Sequence, residues 1–187
     1  MSTATSNISV YTEGTPNPAT MKFLVNKLLI NNSVDFPSKE SAESSAFARE
    51  LFRFNVVTGV FFASNFVTIT KAEGSDWADI EPILKEFVKG AVESETKILE
   101  EEQKSEAFEG TDTEIKIQQI LNDYVRPAVE QDGGAISYKS FNEGIVTVEL
   151  RGSCSGCPSS TITLKAGIEN LLKRMVPEVT EVVSEAL

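Results

Sequence analysis

Residues 145–164, IVTVELRGSCSGCPSSTITL, decide how this chain is read. The stretch opens as a strand: Val146, Val148 and Leu150 alternate with Thr147 and Glu149, so one face turns inward. Gly152 ends the alternation, and Cys154-Ser155-Gly156-Cys157 follows as a C-x-x-C turn. Pro158 suits the first position of a helix, which puts Cys157 at the N-cap. Leu164, Ile168, Leu171, Leu172 and Met175 then form one stripe, and Pro177 stops the helix. The unpaired backbone N–H groups of Ser159, Ser160 and Thr161 would face the Cys157 sulfur. They and the helix dipole favour a thiolate, and Arg151 is expected to add a positive charge. Gly152 and Gly156 leave room for the close backbone approach that a bulky inorganic ligand requires.

On the N-terminal side of this junction, Thr111-Asp-Thr-Glu114 has capping-box spacing and starts a helix near residue 112. Ile117, Ile120, Leu121 and Tyr124 give that helix an apolar face; Pro127 kinks it and Asp132-Gly133-Gly134 ends it. Strands follow at 135–140 and 145–151, joined at Asn142-Glu143-Gly144, and VTEVVSEAL closes the chain as a last strand. The order over 113–187 is α-β-β-α-β.

The first half reads as β-β-α-β-β-α, so the fold class is α+β with two small domains. Residues 8–13 and 21–30 are the first strands, and the two prolines of 15–20 make that segment a loop. A helix starts at Ser41 with Phe47, Leu51 and Phe54 on one face; strands at 56–63 and 66–71 flank a Ser64–Asn65 turn. From Asp76 to Val92 runs an amphipathic helix with Ile80, Ile83, Leu84, Phe87, Val88 and Ala91 inward and Pro82 in its first turn. Nine of the eleven phenylalanines lie in this half and are expected to fill its core, Phe61 and Phe62 included.

The charge is uneven. The net is −11, of which −5 falls in residues 94–112, so that stretch is read as an acidic, solvated spacer between domains at 8–93 and 113–187. The acidity argues against nucleic acid and anionic membrane as partners. No secretory leader, transit peptide or membrane-length apolar run is visible, and two cysteines are too few for a disulfide scaffold. The expected location is cytoplasmic.

With no histidine in 187 residues, Ser–His–Asp and Cys–His catalysis are excluded, as is histidine-ligated metal. Cys154 and Cys157 are the only thiols, and four readings exist for them. They are idle small residues, a dithiol–disulfide redox pair, half of a zinc site or half of an iron–sulfur site. Against redox, the motif follows a β-hairpin rather than a βαβ unit, no aromatic precedes Cys154 and no proline separates the two cysteines. Both metal readings need four ligands, which two chains would supply across a two-fold axis. The residues alone lead to a thiolate pair shared in a dimer and leave iron–sulfur and zinc both open.

The run Arg126-Pro127 … Asp132-Gly133-Gly134 … Gly152-Ser153-Cys154-Ser155-Gly156-Cys157-Pro158-Ser159-Ser160-Thr161 … Thr163-Leu164 resembles the C-terminal domain of NifU, which defines the Nfu family of iron–sulfur scaffolds and carriers. Thr15-Pro16-Asn17-Pro18 and Met21-Lys22-Phe23 resemble the Nfu N-terminal domain. The resemblance implies a non-enzymatic protein that binds a 4Fe–4S cluster between two subunits, with Cys154 and Cys157 as ligands from each. It also implies an upstream assembly scaffold as donor and apo iron–sulfur proteins as recipients. No further cysteine set for the other NifU modules is present, which implies a late carrier. Transfer by thiolate exchange requires an exposed site.

Overall fold

The structure, a computed structural model, describes residues 7–99, 108–155 and 158–186; side chains of residues 158–161 and 186 lie outside that description. The chain divides into two compact units after Gln103.

The first unit is an antiparallel sheet in the order β1-β2-β5-β4-β3, built from Val10–Gly14, Thr20–Val25, Val34–Phe36, Val57–Ala63 and Phe66–Lys71. Helices α1 (Ala46–Leu51) and α2 (Trp77–Glu93) pack on it, around a core that includes Phe23, Phe36, Phe47, Leu51, Phe62 and Val88. Ser45 caps α1 by accepting the Ala48 N–H at 3.0 Å, and Asp76 caps α2 by accepting that of Ala78 at 3.0 Å. Phe61 and Phe62 are both buried, but alternation along β4 puts them on opposite faces: Phe62 meets Phe36 and Phe47 in the core, while Phe61, expected in that core, meets Phe66 instead.

The element order is therefore β-β-β-α-β-β-α, one strand more than the sequence suggests. The second strand stops at Val25 instead of residue 30. The apolar run Leu28–Ile30 imitates a strand, yet Leu28 is 60% exposed and the N–H groups of Leu29 and Ile30 both donate to the Ser64 carbonyl. The overlooked β3 has three residues, too short for a period of two to show. Pro82 lies in the second turn of α2, not its first, and Ile83 is exposed. The chain stays on this unit beyond residue 93. Lys97 accepts the Phe47 N–H and Ile98 is buried in the core, so the start of the acidic stretch is packed.

The second unit places β6 (Gly134–Asn142), β7 (Ile145–Gly152) and β8 (Glu181–Ala186) side by side. β6 and β7 form an antiparallel hairpin through Glu143 and Gly144, both at positive φ. β7 and β8 are parallel, and the crossover that parallel strands need is helix α5 (Pro158–Met175). The Thr111–Glu114 capping box forms as expected and starts α3 (Asp112–Ile120).

Pro127 acts one turn ahead of itself. Its ring would clash with the carbonyl four residues back, and the backbone widens into a π-helical turn over Leu121–Val125 before α4 (Arg126–Gln131) resumes. The wider turn rotates the inward stripe. Ile117, Ile120, Leu121, Val125 and Val129 are buried, whereas Tyr124, expected inward, is 60% exposed. Val146, Val148, Leu150, Ile168 and Leu172 complete this second core.

Candidate functional site

The cysteine loop leaves the end of β7 and enters α5, and so sits at the β-to-α junction of the β7-α5-β8 unit. The expectation that the motif merely follows a β-hairpin is corrected by the parallel pairing of β7 with β8. The motif does lie in a βαβ unit, because pairing of β8 beside β7 is a long-range event that the order α-β-β-α-β does not reveal. The other two objections to a redox pair still hold.

Cys154 is buried at 5% exposure and packs in the second core. In the single chain it does not meet the exposure that thiolate exchange requires. Cys157, like Gly156, lies outside the described residues. Helix α5 does begin at Pro158.

The loop is fastened to the turn that closes α4. The Ser153 N–H donates to the Gly133 carbonyl at 3.3 Å and the Ser153 hydroxyl to the Asp132 carbonyl. Ser155 folds back onto the Gly152 carbonyl through both its N–H, at 3.1 Å, and its hydroxyl, at 3.2 Å. Gly133 at φ +82° reverses the chain after α4, and Gly134 then pairs with Gly152 at the end of the β6–β7 ladder. A methyl at Gly134 would lie 2.7 Å from the Cys154 Sγ and 2.7 Å from the Arg151 carbonyl. The Asp132-Gly133-Gly134 turn and the cysteine loop are thus one structure. In the sequence both glycines are accounted for as a helix stop. Gly133 alone suffices for that, and the second glycine, Gly134, is the mark in the sequence of the close approach of Cys154.

Arg151 is not spare charge for the thiols. Its guanidinium pairs with Glu149, the Nε at 3.0 Å, and Lys139 approaches the same buried carboxylate at 3.8 Å. Residues two apart on a strand share a face, and the nearer, fixed carboxylate captures the cation. Among the described residues, no three His, Cys, Asp or Glu side chains gather as a metal site. A cavity of about 470 Å³ in the first unit, between the 27–32 loop and residues 92–99, holds no cysteine.

Comparison with known proteins agrees with this architecture. The NifU-like domain family matches residues 117–183, and the "Scaffold protein Nfu/NifU N terminal" family matches residues 10–95. The human protein named "NFU1 iron-sulfur cluster scaffold homolog, mitochondrial" is 41% identical over 175 residues, which cover 91% of this chain and 69% of the relative. The chain belongs to the Nfu family. Relatives of the same name from Drosophila erecta and Drosophila ananassae are each 40% identical, covering 92% and 94% of this chain. The chain spans 63% and 64% of their lengths. The solution structure of a NifU-like protein from Saccharomyces cerevisiae resembles 51% of this chain and 87% of its own, with a TM-score of 0.45 and 20% identity.

These names overturn the expected cytoplasmic location, since the Nfu relatives are described as mitochondrial.

Proposed function

We propose that this Nfu chain is an iron–sulfur scaffold and carrier that holds a 4Fe–4S cluster between two copies of itself. Cys154 and Cys157 of each copy are the four ligands, and the cluster passes from an upstream assembly scaffold to apo iron–sulfur proteins. The observation that carries this reading is the setting of Cys154, in a C-x-x-C loop that is pinned to a glycine turn and opens into α5. The donor set fits the cargo. Soft thiolates suit iron–sulfur, and two per chain with no histidine make half of a four-ligand site. A site completed only by a second chain can also be dismantled. A recipient thiol displaces one cysteine at a time: an iron–sulfur bond to the recipient forms, that to Cys154 or Cys157 breaks, and the proton moves to the released thiolate.

Because Cys154 is buried, loading requires its side chain to turn outward as the two loops meet. In this proposal the chain comprises domains at 8–93 and 113–187 joined by an acidic connection over 94–112, of which Ile98 packs on the first unit. The names of the relatives support a mitochondrial setting.

The test is anaerobic reconstitution with iron and sulfide, followed by Mössbauer spectroscopy and analytical ultracentrifugation. About four irons per dimer are expected, with loss of both cluster and dimer in Cys154→Ala. A cluster that persists in that variant, or uptake of zinc alone, overturns the proposal. The βαβ setting favours one second reading, a dithiol–disulfide couple. A disulfide potential near that of thioredoxin, with turnover of a disulfide substrate, would establish it in place of the carrier.

A further inference from the structure

We propose that Gly134 is the positioning residue for Cys154: its missing side chain forms the recess in which the cluster-free chain shelters that thiol. The proposal rests on the carrier reading for its purpose, but its geometry stands apart from any cluster. Gly134 is not among the glycines at positive φ, so its backbone would accept any L-residue. What demands glycine there is space. A Cβ would stand 2.7 Å from the Cys154 Sγ, 3.1 Å from its Cβ and 2.7 Å from the Arg151 carbonyl, so the space open to it is bounded by the thiol on one side and the β7 backbone on the other. Nor can the loop retreat, because Ser153 is tied to the carbonyls of both Asp132 and Gly133.

The recess explains how a thiol can lie buried only two residues beyond the end of β7 and four before the first residue of α5. An empty carrier benefits from it. A sheltered thiol is slow to oxidise, while the fastened backbone keeps it one rotation from the surface. Filling the recess evicts the thiol and leaves it permanently presented.

Iodoacetamide alkylation of the cluster-free chain, mapped to Cys154 by peptide mass spectrometry, tests this. The thiol should react slowly in the native chain and at least about tenfold faster in Gly134→Ala, far below the unfolding temperature. Gly144→Ala is the control. A Cβ at Gly144 meets Thr180 Oγ1 at 2.6 Å, equally tight, but at the hairpin end of the ladder away from the cysteine loop. It should lower stability without changing Cys154 reactivity. Equal acceleration in both variants, or in neither, overturns the proposal.

Should Gly134→Ala fold poorly, Cys154→Ala removes the Sγ part of the clash while the contact with the Arg151 carbonyl remains, so the double variant should show a partial recovery, a smaller melting-temperature loss than Gly134→Ala alone. Absence of that recovery would also overturn the recess. If the alkylation results hold and the native chain takes up no cluster on reconstitution, the carrier reading fails and the recess stands.

Discussion

Tyr138 donates its phenolic hydroxyl to Glu114 Oε1 at 2.8 Å, tying the first turn of α3 to the middle of β6. The same carboxylate accepts the Thr111 N–H at 2.8 Å, so one side chain closes a helix cap and braces it against the sheet. The Thr111 backbone bond, then Tyr138, then the Thr111 hydroxyl hold the Glu114 carboxyl below its ordinary value of 4.5. Burial, and then Glu114, raise the Tyr138 hydroxyl above its ordinary value of 10.0.

The sign of the acid response follows. A carboxyl lowered by folding contributes stability that is complete above 4.5 and is lost as pH falls through the folded value. Glu169 behaves likewise, lowered first by Lys173 and then by the Val182 N–H it accepts at 3.1 Å. Urea midpoints of the second unit should therefore fall between about pH 6 and about pH 3. Glu114→Gln should flatten that slope. An unchanged slope in the variant would remove Glu114 from the account.

Tyr138→Phe keeps the ring and deletes the bond. It should raise the Glu114 carboxyl toward its ordinary value, because one of the groups lowering it is gone. Side-chain carbonyl NMR shifts followed against pH read this directly. A Glu114 titration identical in both proteins would contradict the bond.

Arg151→Ala leaves Glu149 buried with only Lys139, at 3.8 Å, as a cation. The loss should be about 1–3 kcal/mol, measurable as a lower thermal midpoint. Glu149→Gln in the Arg151→Ala background should recover part of it, since the buried charge is then gone. Failure to recover would mean that packing of the Arg151 stem, not the ion pair, matters.

Phe62→Ala empties the centre of the first core, where the ring meets Phe36 and Phe47 at centroid distances of 6.1 and 5.2 Å. A cost of about 3–5 kcal/mol is expected. Trp77, the single tryptophan, reports on the same unit: it donates to the Pro18 carbonyl at 3.1 Å and packs near Phe23. Its fluorescence transition in urea should move to lower denaturant by a corresponding amount.

The sequence by itself determined which thiols are available and most of the elements. Two cysteines and no histidine limit a four-thiolate site to half a set per chain, and counting needs no coordinates. Long periodic segments such as α2 and α5, the Thr111–Glu114 cap and the Asn142–Gly144 turn are legible because each is written within a few neighbouring residues. Short β3 and the π turn over Leu121–Val125 are not, since three residues show no period and Pro127 acts on residues before it.

Only the tertiary structure decided what surrounds Cys154. The parallel pairing of β7 with β8, the partnership of Arg151 with Glu149 and the fit of Gly134 against the Cys154 sulfur depend on which backbone atoms meet. Gly134 and Cys154 are separated along the chain by a whole hairpin, and hydropathy carries no mark of the empty space that one residue leaves for another.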